Sequence, residues 1–282
     1  MKILNNKAEL LDFVADIKKQ NKNIGFAPTM GALHNGHLSL YKVARENNDI
    51  VISSIFVNPT QFNNREDLEK YPRTIAHDIE KLKNSELVDA VYIPTVNDIY
   101  PNGLSSKQYN FNGLENEMEG AARPGHFDGV GTVIEALFGQ IQPDDAYFGE
   151  KDYQQLKIIE TLVKNLKLSV KIHGVAIHRQ EDGLAMSSRN ARLNNEEKNA
   201  STIIYKTLKQ VNDWFRVISI PEIKERVVEI FEKQDNMELE YFLIADEENL
   251  KETDFFYKDK NYRAFIVVNV GKVRLIDNIH LE

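Results

Sequence analysis

The 282-residue chain contains no cysteine. Disulfides, thiolate metal sites and a thioester-forming nucleophile are therefore excluded. It also lacks an excess of positive charge. Its 35 Lys and Arg against 43 Asp and Glu leave a formal net charge of −8, whereas general binding to nucleic acid or to an anionic membrane needs basic patches. A local basic site stays open. No stretch is apolar and long enough to span a bilayer, and the opening Met1-Lys2-Ile3-Leu4-Asn5-Asn6-Lys7 has no long apolar run of the signal-peptide kind. A cytoplasmic location is the expectation, with neither nucleic acid nor membrane as partner. Internal repeats and low-complexity runs are missing too. What remains is an ordinary globular composition, long enough for a substantial core and two domains.

The first part of the chain alternates. Apolar residues at Leu10, Leu11, Val14 and Ile17 predict a helix over 10–19. Apolar and β-branched runs predict strands at 24–27, 50–57, 90–93, 146–148 and 170–177, with helices at 38–46, 74–83, 130–140 and 153–166 between them. Such alternation implies an α/β fold, a doubly wound parallel sheet covered by helices on both faces. Ligands of these sheets bind beyond the carboxyl ends of the strands, and the loops after Ala27, Val57, Phe148 and Ile177 would converge there. After about Asn190 the pattern changes. Asn-Asn-Glu-Glu opens a long helix over 194–215, Pro221 opens another over 222–231, and strands follow at 239–245, 264–270 and 273–277, the last two joined by a tight turn at Val270-Gly271-Lys272. The expected division is a nucleotide-binding domain over 1–182 and a smaller α+β domain over 183–282 that closes over the site.

The most informative segment is Pro28-Thr29-Met30-Gly31-Ala32-Leu33-His34-Asn35-Gly36-His37-Leu38. It lies where a strand turns into a helix. Unpaired N–H groups and the positive end of the helix attract anions there, Gly36 lets a ligand approach the backbone, and two imidazoles can donate to phosphate oxygens. Alone, His-X-Gly-His is also compatible with a surface turn; the order strand, turn, helix favours a site.

Other segments carry polar chemistry with a bland alternative beside each. Asn58 and Gln61, in Asn58-Pro59-Thr60-Gln61, can orient a small polar substrate or simply open a loop. Thr74 reads as an N-cap, Tyr71 as a pocket lid or a packing ring, and Asp78 as a solvated helix charge or a contact to phosphate-bound metal. Arg123 suits an anion, His126 a structural role, and the Gly129-Val130-Gly131 entry to a helix is weak evidence by itself. In Gly149-Glu150-Lys151-Asp152, Lys151 suits a phosphate and Asp152 ribose hydroxyls, or the two form a surface pair. Finally, Gly183-Leu184-Ala185-Met186-Ser187-Ser188-Arg189-Asn190 reads as a mobile, glycine-hinged loop whose hydroxyls and guanidinium suit a triphosphate, or as a linker.

Taken together and in this order, the segments 28–40, 54–62, 71–74, 123–131, 148–155 and 183–190 resemble the pantoate–β-alanine ligases (pantothenate synthetases) over nearly the whole chain. These belong to the HIGH-type nucleotidylyltransferase superfamily, related to class I aminoacyl-tRNA synthetases. The fold implied is Rossmann-like, of the HUP/nucleotidylyltransferase type. Met186-Ser187-Ser188-Arg189 resembles that group's Lys-Met-Ser-Lys-Ser loop, with serine in place of the second lysine and Ala185 before the methionine. Lys151 and Arg189 would supply the missing charge.

The resemblance implies that pantoate attacks the α-phosphate of ATP, with Mg²⁺ carried mainly by the ATP phosphates, and that β-alanine then attacks the pantoyl adenylate. It assigns Met30, Gly31, Ala32, Leu33, His34, Asn35, Gly36 and His37 to ATP, with His34 and His37 on the phosphates and His37 in the family's proton-donor position. Gly149, Glu150, Lys151 and Asp152 also fall to ATP, Lys151 at the α-phosphate. Gln61 and Gln155 hold pantoate, with Asn58 beside them and Gln61 near β-alanine. Met186 to Arg189 close over the triphosphate, and His178 meets adenine through its backbone. No resident metal site is expected, and a homodimer is. Two other readings stay open at this point: a nucleotidylyltransferase acting on a phosphate, and a non-catalytic nucleotide binder.

Overall fold

The computed structural model describes residues 1–63 and 65–282. They form two compact units, Met1–Glu150 with Gln154–Ala176, and Lys151–Tyr153 with Ile177–Glu282. The chain thus passes into the second unit a few residues before the boundary expected at 182/183, and the short turn 151–153 belongs with that unit as well.

In chain order the first unit runs β1 (Lys2–Leu4), α1 (Lys7–Lys19), β2 (Ile24–Thr29), α2 (Asn35–Asn47), β3 (Ile50–Ile55), α3 (Arg65–Lys70), α4 (Ile75–Ser85), β4 (Ala90–Tyr92), α5 (Val96–Ile99), α6 (Met118–Ala122), α7 (His126–Ile141), β5 (Asp145–Gly149), α8 (Tyr153–Leu166) and β6 (Lys171–Val175). The six strands form one parallel sheet in the order β1-β4-β3-β2-β5-β6. Its two central strands are nearly continuous apolar runs, Ile24-Gly-Phe-Ala and Ile50-Val-Ile, because helices cover both faces. Phe26 and Ile52 are paired across them and fully buried. The run 50–57 is longer than the strand, which ends at Ile55 before the Asn58-Pro59 turn.

From β2 the chain moves outward through β3 to β4, then returns to the other side of β2 with β5 and continues to β6. The direction reverses between β2 and β5, and ligands of open α/β sheets bind at that reversal, outside the carboxyl ends of the strands. The segments leaving β2 and β5 are 30–34 and 150–152. Helix α7, apolar on most of its surface and mostly buried, is the return path; it starts at His126, four residues before the expected 130, after Gly125 in the left-handed region (φ 80).

The second unit contains α9 (Asn195–Trp214), α10 (Ile220–Glu232) and an antiparallel sheet of β7 (Met237–Asp246), β8 (Tyr262–Val270) and β9 (Val273–Leu281) in that order. Asn194 caps α9 in a reciprocal box with Glu197, and Ser219 caps α10 just ahead of Pro221. Gly271 (φ 54) supplies the left-handed residue of the β8–β9 hairpin, where Val270 faces Val273. Leu208, Val211, Ile223, Val227, Ile266 and Val268 fill the core between helices and sheet. Each such buried side chain contributes about 1.5–3 kcal/mol, and truncating Ile223 to alanine would cost roughly 2–5 kcal/mol.

Candidate active site

His34 caps α2 from an extended conformation, and its Nδ1 accepts the N–H of Gly36 at 3.2 Å. His37, one turn on, reaches back so that its Nδ1 accepts the N–H of His34 at 3.2 Å. Two imidazoles thus build the reciprocal cap that Ser and Glu form elsewhere. Their rings lie 4.1 Å apart, tilted by 43°. An Nδ1 that accepts a hydrogen bond cannot carry the proton, so each neutral ring holds it on Nε2. The histidines are therefore arranged as Nε2–H donors at the positive end of α2.

The loop before them differs from the sequence expectation. Gly31 (φ 84) and Ala32 (φ 51) are both left-handed, which turns successive N–H groups into a concave anion nest. The protein fills that nest with its own carboxylate. Asp78 of α4 accepts Ala32 N–H at 3.0 Å and Leu33 N–H at 2.7 Å, while Gly31 N–H goes to Thr29 Oγ1. The expected unpaired N–H groups are thus engaged from within at Gly31, Ala32, Leu33, His34 and Gly36. Asp78 is not a solvated helix charge: it has no exposed surface. Thr74 stands at the N-cap of α4 as expected, but its hydroxyl donates to Asp78 Oδ2 at 3.1 Å instead of accepting a helix N–H. The physical reason is shared, since a buried carboxylate needs every donor within reach.

The turn after β3 holds the amides. Asn58 is 1% exposed, and its Nδ2 donates to Gly129 O at 3.0 Å and to Gln61 Oε1 at 3.2 Å. Its Oδ1 accepts from Tyr100 at 2.5 Å, and burial pushes the Tyr100 phenol above its ordinary range, which keeps it a donor. Of the two readings of Asn58, loop opener or substrate contact, the first accords with an amide engaged within the protein, where it also orients Gln61. Gln61 Nε2 lies 2.9 Å from Met30 Sδ, which joins this turn to the histidine loop. The Gln61 carbonyl accepts from His126 Nδ1 (2.7 Å) and Arg123 Nη2 (3.1 Å). A Cβ at Gly129 would sit 2.6 Å from Thr60 O, so the glycine allows close packing at the entry to α7. Tyr71 packs edge-on against Phe62.

Gly149 and Glu150 leave β5, and a Cβ at Gly149 would stand 4.0 Å from Leu40 Cδ2 of α2. The end of β5 therefore packs beside α2. Lys151 and Asp152 complete a 3-10 turn with Glu150. Gln155 is half-buried on α8, while its neighbour Gln154 is buried and holds Leu114, Glu117 and Glu119.

In the second unit, the segment that carries Met186 to Arg189 begins as a tight hairpin. Arg179 bridges Ala185, Met186 N–H donates to His178 O at 3.0 Å, and Gln180 N–H donates to Leu184 O at 2.9 Å. Ser187 caps the following turn by accepting Arg189 N–H, and Asn190 Nδ2 donates to Ala185 O. Leu184 and Ala185 are buried. Arg179 adds a bidentate pair with Asp277, at 2.6 and 3.0 Å. Arg179 and Asp277 went unseen in the sequence, as did the burial of Asp78, because nothing local marks an acid or a guanidinium as buried. Among the described residues no three His, Asp or Glu side chains group as a metal site, and no helix is long and apolar enough to cross a membrane.

A family model described as pantoate-beta-alanine ligase matches residues 2–280. The chain belongs to that family. A pantothenate synthetase of Flavobacterium psychrophilum is 49% identical over 282 residues, all of both chains. The crystal structure of pantothenate synthetase from Thermus thermophilus has a TM-score of 0.90 at 36% identity and covers 99% of each chain. A second family member, the pantoate-beta-alanine ligase of Francisella tularensis, was crystallised with beta-gamma ATP and beta-alanine; it has a TM-score of 0.81 at 38% identity, covering 99% of this chain and 97% of that one.

Proposed function

We infer that the chain condenses (R)-pantoate with β-alanine at the expense of ATP, giving pantothenate, AMP and pyrophosphate through pantoyl adenylate. The observation that carries this reading is the reciprocal His34–His37 cap at the sheet's reversal point, in which both Nδ1 atoms accept backbone N–H groups and the ring protons therefore sit on Nε2. A carboxylate is a poor acyl donor, and adenylation gives it a leaving group. The pantoate carboxylate attacks the α-phosphorus of ATP, whose Mg²⁺ rides on the phosphates, and pyrophosphate departs. The amine of β-alanine then attacks the activated carbonyl, and AMP leaves. In-line phosphoryl chemistry needs positioning and charge neutralisation rather than a protein nucleophile.

In this reading His34 and His37 donate from Nε2 to phosphate oxygens whose charge grows in the transition state, and Lys151 neutralises the α-phosphate. Met30 to Leu33, Asn35, Gly36, Gly149, Glu150 and Asp152 shape the nucleotide pocket, with Asp152 at the ribose and the His178 backbone at adenine. Gln61 and Gln155 hold pantoate, and Asn58 acts through Gln61. Met186, Ser187, Ser188 and Arg189 bind the triphosphate. The enzyme acts as a homodimer in the cytoplasm, which light scattering and fractionation test. The defining experiment supplies ATP, Mg²⁺, pantoate and β-alanine together. AMP and pantothenate should form in equal amounts; ATP binding without AMP formation would leave only a nucleotide-binding protein.

A further inference from the structure

The carbonyl of Lys151 accepts a hydrogen bond from Asn278 Nδ2 at 3.0 Å, across 127 residues of chain. Asn278 is 2% exposed, and its amide has one permitted orientation. Its Oδ1 accepts Arg263 Nη1 at 2.7 Å, which obliges Nδ2 to face Lys151. Arg263 is itself fixed by Glu247 Oε1 at 2.7 Å, and its guanidinium lies 3.9 Å from the ring centre of Tyr153. The same ring packs 6.1 Å from Phe265. The turn 151–153 is thus gripped at its first residue by β9 and at its third by β8. Behind Asn278, its own N–H donates to Asp277 Oδ1 at 2.8 Å, and Asp277 is locked by Arg179, which also holds Gly183 O at 3.2 Å. One buried network therefore connects the lysine turn with the base of the hairpin that carries Met186 to Arg189.

We propose that Asn278 is a positioning residue for adenylation, acting through the backbone of Lys151 with Arg263 as its orienter. This rests on the reading that Lys151 meets the α-phosphate. An ammonium at the end of a four-carbon stem is aimed only as well as its backbone is held, and small misplacements of transition-state groups are costly. The side chain never touches substrate; it sets where the lysine begins.

The test uses the full-length enzyme with Asn278→Ala and Asn278→Asp. The aspartate keeps an oxygen for Arg263 and removes the donor to Lys151, so it serves where the alanine variant does not fold. Single-turnover pantoyl-adenylate formation should slow roughly tenfold to a hundredfold, with the KM for pantoate unchanged. In a Lys151→Ala background, itself slower on the order of a hundredfold, the Asn278 substitution should cost nothing more. Without nucleotide, tryptic cleavage after Lys151 should accelerate roughly fivefold or more, because a loosened turn opens more often. Multiplying losses in the double variant, or unaltered adenylation together with unaltered cleavage, overturn the proposal. If Lys151→Ala adenylates normally, the phosphate assignment of Lys151 fails, and the cleavage rate alone then decides whether Asn278 clamps the turn.

Discussion

The backbone N–H of Leu33 donates at 2.7 Å to a carboxylate oxygen of Asp78 that has no contact with solvent. With the companion bond from Ala32, this carboxylate neutralises the nest that would otherwise attract an anion, and it fixes the entry to α2. Hydrogen bonds to a charged group contribute about 1.5–3 kcal/mol each. Asp78→Asn places an amide donor against one of these N–H groups. Stability should fall by about 2 kcal/mol or more, and adenylation by about tenfold or more as the histidines lose register. Urea unfolding and single-turnover kinetics measure the two; a variant equal to wild type in both contradicts the assignment.

His34 caps α2, and in the proposed reaction it has a second, separable job as an Nε2 donor. Asparagine is among the best N-caps, whereas alanine costs about 1 kcal/mol at such a position. His34→Asn should therefore keep the wild-type unfolding midpoint, and His34→Ala should lower it. Both should slow adenylation on the order of a hundredfold, the cost of a lost transition-state donor. An asparagine variant that adenylates at the wild-type rate would remove the imidazole from phosphate chemistry.

The cap also sets the tautomers. Because Gly36 N–H and His34 N–H point at the two Nδ1 atoms, nitrogen NMR of the neutral protein should find the proton of both rings on Nε2. A proton on Nδ1 of either ring is incompatible with the reciprocal cap.

Asp246, at the end of β7, tests the second unit. Burial alone would raise its carboxyl, but hydrogen bonds from Lys260 and from the N–H groups of Glu248 and Asn249 overcome it and hold the group below the ordinary carboxylate range. A depressed folded-state value means stability that is present above the unfolded value and lost as pH falls through the folded one. Asp246→Asn should thus be less stable than wild type at pH 7, and the gap should close on acidification. A gap independent of pH contradicts this.

Local chemistry was legible in the sequence, and long-range chemistry was not. Helix α8 begins and ends where its apolar period does, at Tyr153 and Leu166. Strand β1 escaped notice because three residues carry no period. His34, His37, Gln61, Lys151 and Arg189 could be picked out because their chemistry lies within short segments. Some of the partners that hold their loops lie far off in the chain. Asp78 is 45 residues from Leu33, and Asn278 is 127 from Lys151. An aspartate in the first turn of a helix looks the same whether it faces water or a buried loop. Asn58 could not be separated from a substrate ligand until its four partners were located.

Exchange of labelled pyrophosphate into ATP, driven by pantoate with β-alanine withheld, isolates the step proposed for the paired imidazoles. Wild-type protein should exchange, and His37→Ala should do so on the order of a hundredfold more slowly. Folded wild-type protein that exchanges nothing until β-alanine is added would contradict the adenylate route and the role given to the histidine-capped helix.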